Sequence, residues 1–120
     1  MKILRTNVVI LDNRGKLEEI VKIGLWRQLN RVKTNHGAIR GNHYHKYASE
    51  LHYVMSGKLK LHIRNIKTNE EADYQFREGD CFVVEPYEFH VLEHLTDVDY
   101  IVLFSENFNP ENPDLYRNET

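Results

Sequence analysis

The sequence predicts an all-β domain, and three features of the chain support that prediction. Short apolar runs alternate with turn residues along most of its length. In the run 59–64, Leu59, Leu61 and Ile63 alternate with polar residues, which is the period of a strand with one buried face. No segment of a dozen residues has convincing helical spacing, since the nearest, KLEEIVKIGLW, contains β-branched residues and a glycine. Strands this short favour a sandwich or a barrel.

The predicted strands follow one another between recognisable turns. NVVIL precedes DNRG, LKLHI follows SGK, CFVVE follows REGD, and VDYIVLF precedes SENFNPENP. Each run is rich in β-branched or aromatic residues, and each flanking segment contains residues that favour turns. The tail from about residue 105 contains two Asn-Pro steps, which favour extended or turn geometry over a final helix.

Length, charge and cysteine content narrow the class of protein. The 120 residues suit a single domain spanning 1–120. The 16 basic residues nearly balance the 18 acidic ones without a long run of either sign, so neither nucleic acid nor a membrane is expected as a partner. Polar residues 12–14 interrupt the first apolar run before a signal peptide could be completed, which predicts a cytoplasmic protein. The lone Cys81 is expected to be a small buried hydrophobe.

A dense group of histidines in GAIRGNHYHKYASELHYVMSG, residues 37–57, suggests a chemical site. In a strand, His43 and His45 would project from the same face. Glu50 follows five residues later, where a turn could bring its carboxylate to the same point. A further segment, EGDCFVVEPYEFH, ends in a third inward-facing imidazole, that of His90. Three nitrogens and one carboxylate suit zinc, nickel, iron(II) or manganese, with positions left open for water or substrate.

These residues resemble the two motifs of the cupin superfamily. Residues 37–57 match G(x)5HxH(x)4E(x)6G, and residues 79–90 resemble the second motif with one extra residue before Pro86 and Glu88 where a glycine is common. The resemblance covers nearly the whole chain. It implies a cupin double-stranded β-helix, a jelly-roll barrel, and a metal site formed by His43, His45, Glu50 and His90.

The flanking sequences resemble cupins that modify nucleotide-linked sugars. RGNHYH and the ENPD ending are similar to the C-terminal cupin domain of bifunctional capsular-sugar epimerase-reductases. Similar histidine runs occur in dTDP-4-dehydrorhamnose 3,5-epimerases and in dTDP-sugar 3,4-ketoisomerases. The ketoisomerases have glutamine at the position of Glu50 and work without metal, and the epimerases lack the second histidine and use the first as a base. This chain retains all four candidate ligands, which favours the metal-bearing domain.

The resemblance implies an epimerase or isomerase that acts on a 4-keto nucleotide sugar through an enolate, in polysaccharide or surface-sugar biosynthesis. His43 and His45 are the catalytic candidates, as metal ligands or, without metal, with His43 as general base and His45 assisting. Arg40 is expected to contact an anionic group of the substrate. The sugar-modifying cupins also imply a homodimer, which a chain this small would need to cover apolar strand surface.

Two other functions remain open from the sequence. A non-catalytic sugar-binding or sensing cupin would use the same pocket to hold a ligand. A metal-dependent dioxygenase would use the same four ligands, although the sugar-type flanking segments do not favour it. Among the other histidines, His52 shares strand phase with Glu50 and is the reserve ligand candidate, whereas His36, His62 and His94 are expected to be exposed or hydrogen-bonded.

Overall fold

The computed structural model describes residues 1–117 and confirms the all-β prediction. Those residues form eleven strands and no helix. No helix in that range is therefore long and apolar enough to cross a membrane. The strands are β1 Lys2–Leu4, β2 Asn7–Asp12, β3 Gly15–Glu19, β4 Gln28–Thr34, β5 Ile39–His43, β6 Glu50–Ser56, β7 Lys58–Asn65, β8 Glu71–Arg77, β9 Cys81–Val84, β10 Glu88–His94 and β11 Val98–Phe104.

Two antiparallel sheets enclose the core. The five-stranded sheet has the order β1-β9-β6-β11-β4, and the four-stranded sheet has the order β5-β10-β7-β8. Neighbours in each sheet are mostly distant in sequence, as expected for a jelly roll, in which the chain crosses repeatedly from one sheet to the other. The remaining pair, β2 and β3, forms a separate hairpin.

The core lies between the two larger sheets, and both sheets contribute buried apolar side chains to it. The predicted alternation in β7 is confirmed, because Leu59, Leu61 and Ile63 are buried while the residues between them are not. Opposite them, the five-stranded sheet contributes buried residues such as Phe82. Cys81 is also buried, and burial raises the pKa of its thiol to about 11, which agrees with its prediction as a small hydrophobe.

Two segments, the β2–β3 hairpin and the tail after β11, lie outside this pair of sheets. The predicted strand NVVIL becomes β2, but its apolar side chains remain exposed on the β2–β3 hairpin. After β11 ends at Phe104, the tail forms no strand up to residue 117, and within that range its β-bridge to the barrel joins Tyr116 to Tyr44. The last part of the predicted tail, residues 118–120, lies outside the described residues.

Candidate metal centre

The four predicted ligands meet between the two sheets. His43 ends β5 and His90 lies in the neighbouring strand β10, whereas Glu50 begins β6 in the opposite sheet. His45 lies in the connection between β5 and β6. One potential ligand atom from each residue falls within 4.8 Å of the others, and all but His43 are buried. This arrangement brings three imidazoles and a carboxylate to a single point, and we call it the quartet.

A β-bulge aligns the two histidines of the four-stranded sheet. His90 pairs with His43, and the register then shifts so that Val91 pairs with Gly41, leaving Asn42 as the extra residue. Gly41 has a φ of +82°, and a Cβ at this position would lie 2.6 Å from the carbonyl oxygen of His90. Glycine is therefore required here both by the backbone conformation and by the close approach of β10.

His45 is positioned by contacts other than those of a continuous strand. The sequence places HYH in a strand, but β5 ends at His43, and pairing continues only through the bridge between Tyr44 and Tyr116 of the tail. The rings of His43 and His45 are nevertheless neighbours, with centroids 4.9 Å apart. The carbonyl of His45 accepts a hydrogen bond from the backbone N–H of Tyr87, at 2.7 Å. The tail thus extends the edge of the sheet far enough to place the second imidazole.

Backbone carbonyls fix the orientation and tautomer of two of the imidazoles. Nδ1 of His45 donates to the carbonyl of Asp114, and Nδ1 of His90 donates to the carbonyl of Glu88 at 2.9 Å. A carbonyl can only accept, so the proton of each neutral ring is on Nδ1 and the lone pair is on Nε2. This is the arrangement in which metal-binding histidines are held by their surroundings.

The lone pairs of these rings point at a carboxylate. Nε2 of His45 lies 2.8 Å from Oε1 of Glu50, and Nε2 of His90 lies 3.5 Å from Oε2. Although the first distance is short, the contact lacks hydrogen-bond geometry, and Nε2 of His45 and Nδ1 of His43 are both buried without a hydrogen-bond partner. Lone pairs and a carboxylate facing one another repel unless a cation or a proton lies among them. The residues therefore fit a divalent cation.

The ionisation states of Glu50 and His43 also suit metal ligation. Burial, followed by the neighbouring His90 and His45, lowers the pKa of His43 to about 4. Burial acts to raise the pKa of Glu50, but the surrounding imidazoles, led by His45, outweigh it and lower this pKa to about 2. Burial likewise acts to lower the pKa of His45, but Glu50 and Asp114 raise it overall. At neutral pH the quartet thus contains an ionised carboxylate and a neutral His43.

The other singled-out residues lie outside the quartet. Nε2 of His52 is 3.8 Å from Glu50, but its ring stacks on Phe82, with the centroids 4.7 Å apart, and is not one of the four converging ligands. Arg40 is exposed, and its Nε donates to Oγ1 of Thr34, at 2.6 Å, rather than to a quartet residue. Arg40 therefore lies three residues before His43 in β5 without touching the candidate ligands.

Two tail residues near the quartet were missed by sequence reasoning. Asp114 binds the connection that carries His45, and the exposed Arg117 is close enough to His43 for its charge to lower the pKa of that imidazole. The ENPD ending supplied a family signal at Asp114, but no spacing rule connects it to a histidine 69 positions earlier. A cavity of about 210 Å³ lies between the tail and the barrel beside His45, and amide and aromatic side chains line much of it.

Solved structures of two sugar-modifying enzymes share this fold. The sugar 3,4-ketoisomerase QdtA from Thermoanaerobacterium thermosaccharolyticum matches with a TM-score of 0.77 and 17% identity, over 98% of this chain and 86% of that one. dTDP-4-dehydrorhamnose 3,5-epimerase from Sulfolobus tokodaii matches with a TM-score of 0.72 and 20% identity, over 84% of this chain and 68% of that one. The chain is a cupin double-stranded β-helix, as its two sequence motifs predict.

The family comparison is more specific. The profile described as the polysaccharide biosynthesis C-terminal domain matches residues 10–116, and the chain belongs to that family. The capsular polysaccharide assembling protein CapF from Staphylococcus aureus is 28% identical, with a TM-score of 0.71, over 97% of this chain. The chain spans only 32% of the length of CapF. No curated protein sequence matches it significantly. The resemblance to sugar-modifying cupins that the sequence indicated is confirmed.

Proposed function

We propose that this protein is a metal-binding cupin that epimerises or isomerises a 4-keto nucleotide-linked sugar in polysaccharide or surface-sugar biosynthesis. The observation that carries the proposal is the convergence of His43, His45, Glu50 and His90, whose ligand atoms lie within 4.8 Å of one another between the sheets. Membership of the polysaccharide biosynthesis C-terminal domain family supports a role in polysaccharide or surface-sugar biosynthesis. The substrate class is supported by QdtA, which shares the fold and has been crystallised with TDP-4-keto-6-deoxyglucose.

The quartet would hold zinc, nickel, iron(II) or manganese. When bound, such a cation supplies Lewis-acid polarisation of a carbonyl oxygen, which can lower the barrier by several kcal/mol. The carbonyls of Asp114 and Glu88 orient His45 and His90 so that their lone pairs face inward. His43 is the least buried of the four, which leaves its side of the cluster accessible to a substrate.

The reaction requires a hydrogen beside the ketone to be removed and returned from another direction, with an enolate between the two steps. In a metal-free version of the mechanism, His43 accepts that proton and His45 assists. Either version requires a neutral imidazole, which His43 provides at neutral pH. Arg40, exposed at the same strand, would contact an anionic group of the substrate such as the diphosphate.

Deuterium exchange tests the proposal. Metal-replete protein is mixed in deuterated water with dTDP- or UDP-linked 4-keto-6-deoxy sugars, and uptake beside the ketone is followed by NMR or mass spectrometry. His43→Ala should abolish uptake, because both versions of the mechanism depend on this imidazole. Glu50→Gln separates the two versions, since it should impair exchange when a metal acts and leave most of it when His43 is the base.

Two outcomes would contradict the proposal. Binding of these sugars by the wild-type protein without exchange of any of them would favour the non-catalytic sugar-binding cupin. Failure of the purified protein to contain or take up any of the four candidate metals would exclude the metal-dependent version. Elemental analysis should instead find about one metal equivalent per chain.

The proposal also includes a homodimer, with residues 1–120 of each chain forming one cytoplasmic cupin domain. The β2–β3 hairpin supports the dimer, because its apolar side chains Val8, Val9, Leu11 and Leu17 are each about half exposed or more. A two-stranded hairpin is marginally stable by itself, so a second copy is the expected cover. Light scattering at low micromolar concentration should give twice the chain mass, and a monomer mass over a wide concentration range would contradict it.

A further inference from the structure

The carboxylate of Asp114 closes the turn that follows His45. Oδ1 accepts a hydrogen bond from the backbone N–H of Lys46 at 2.7 Å. Oδ2 accepts from the N–H groups of Tyr47 and Ala48, each at 2.9 Å. Three consecutive amides therefore converge on one side chain from the tail. Hydrogen bonds to an ionised acceptor are among the stronger ones in proteins, so this contact anchors the tail to the turn.

The backbone of the same residue holds the ring of His45. The carbonyl of Asp114 accepts the hydrogen of Nδ1, while its carboxylate binds the three residues that follow His45. On the N-terminal side of His45 in the chain, Tyr44 and Tyr116 exchange two backbone hydrogen bonds of 2.9 and 3.0 Å. His45 is thus held between a two-residue bridge and a carboxylate clamp, both supplied by residues 114–116.

This contact differs from the one that orients His90. The carbonyl bound by His90 belongs to Glu88, two residues away on the same strand, so the strand itself provides it. The carbonyl bound by His45 belongs to a tail that forms no strand between Phe104 and residue 117. The acceptor at Nδ1 of His45 therefore depends on the clamp that holds the tail in place. Without the clamp, the proton could move to Nε2, the nitrogen that faces Glu50.

We propose that Asp114 is a positioning residue that fixes the tautomer of His45 and thereby keeps the Nε2 lone pair directed into the quartet. The identity of the group that Nε2 binds rests on the proposed metal function, but the tautomer does not. Partners that orient metal-bound histidines typically contribute about 10- to 100-fold to metal affinity. We assign a similar contribution to the carboxylate of Asp114, because it holds in place the backbone carbonyl that binds His45.

The experiment uses metal-free protein at alkaline pH, where the imidazoles are neutral, and reads the tautomer of each histidine from ¹⁵N NMR. Wild-type His45 should be protonated on Nδ1. In Asp114→Ala, the Nε2-protonated form should become substantial, and the affinity for zinc, measured by titration, should fall about 10-fold or more. Asp114→Asn keeps one acceptor oxygen in place, so it should restore part of both properties.

Asp97→Ala is the matched control, because Oδ1 of Asp97 also accepts a backbone N–H, from His36 at 2.8 Å, in a turn at the other end of β10. It should lower stability without changing the tautomer of His45. The proposal is overturned if wild-type His45 is protonated on Nε2, or if Asp114→Ala unfolds more easily yet retains both tautomer and zinc affinity. If the wild type binds none of the four candidate metals, the metal function is wrong, whereas a tautomer change in Asp114→Ala still supports the positioning role.

Discussion

His90 and His94 lie on the same strand and are equally buried, but within residues 1–117 the second ring nitrogen has a hydrogen-bond partner only in His94. Each residue is 1% exposed, and each Nδ1 donates to a backbone carbonyl, at 2.9 Å for His90 and 2.8 Å for His94. The two histidines differ in the surroundings of the second ring nitrogen, Nε2. Nε2 of His94 has the hydroxyl of Tyr100 at 3.2 Å, whereas Nε2 of His90 faces the carboxylate of Glu50 at 3.5 Å.

The contrast shows that burial alone does not identify a ligand histidine. His94 is saturated by groups that hydrogen-bond with it, so it has no remaining electron pair to offer. In the quartet, the inward nitrogens face each other and a carboxylate, an arrangement that is stable only with a cation or a proton among them. A buried histidine is a ligand candidate when its second nitrogen lacks a compatible partner.

The largest expected effect is the loss of zinc affinity when a quartet residue is replaced. His45→Ala or Glu50→Gln should weaken zinc binding by at least about 100-fold, because loss of a ligand should exceed the loss of a group that only orients one. Both variants should remain folded, since neither side chain belongs to the apolar core. Zinc titration measures the loss and circular dichroism checks the fold. Zinc affinity within twofold of wild type in either variant would remove that residue from the ligand set.

For His94, a buried histidine outside the quartet, substitution by alanine should lower the free energy of unfolding by about 2–3 kcal/mol. It removes a buried ring and with it one hydrogen bond to the Tyr100 hydroxyl and one to the Ala38 carbonyl, which still accepts the backbone N–H of residue 94. Zinc affinity should stay within about twofold of wild type. Urea denaturation and zinc titration measure the two properties, and a large loss of zinc binding in the folded variant would show that His94 belongs to the site.

A smaller effect is expected at the bulge that aligns His43 with His90. Gly41→Ala places a side chain at positive φ and against the carbonyl of His90, which should cost about 1–2 kcal/mol and weaken zinc binding. Gly57→Ala is the matched control. It also has positive φ, and its Cβ would meet the carbonyl of Asp97 at 2.2 Å, away from the quartet.

Both glycine variants should therefore lose stability in urea denaturation, and only Gly41→Ala should also lose zinc affinity. Equal zinc affinities in the two variants would mean that the bulge does not set the geometry of the quartet.

The smallest effect concerns the pH dependence of stability. Burial, and then the charge of Arg40, lower the pKa of His94 against the opposing hydrogen bond to Ala38, so the unfolded chain takes up this proton more readily than the folded one. The contribution of His94 to stability is therefore full above the unfolded pKa of about 6.5 and is lost as the pH falls below it. The groups that face the ring are Tyr100 and Arg40.

The test compares urea denaturation of the wild type and of His94→Gln between neutral and mildly acidic pH. The quartet histidines contribute to the pH dependence of both proteins, so the difference between them isolates His94. The wild type should lose more stability on acidification, by at most about 1.4 kcal/mol per pH unit. Identical slopes would show that His94 does not titrate in this range.

The sequence alone was sufficient for the fold class and for the members of the quartet. The alternation of Leu59, Leu61 and Ile63 predicts a strand with one buried face, because side chains in a strand change sides at every residue. The spacing of His43, His45 and Glu50 matches a known motif, which allowed His90 to be assigned although its own motif departs in spacing. Both patterns can be recognised within short stretches of the chain, and the structure brings the four candidate ligands together.

Only the tertiary structure decided which nitrogen of each imidazole is available. The partner of Nδ1 in His45 comes from Asp114, and that of Nε2 in His94 comes from Tyr100, and no local pattern states either pairing. Likewise, β5 stops at His43 and not after His45, so the tail had to supply the pairing that the sequence assigned to a strand. Residue spacing determines which side chains share a face, whereas hydrogen-bond partners depend on the register of segments that are distant in the chain.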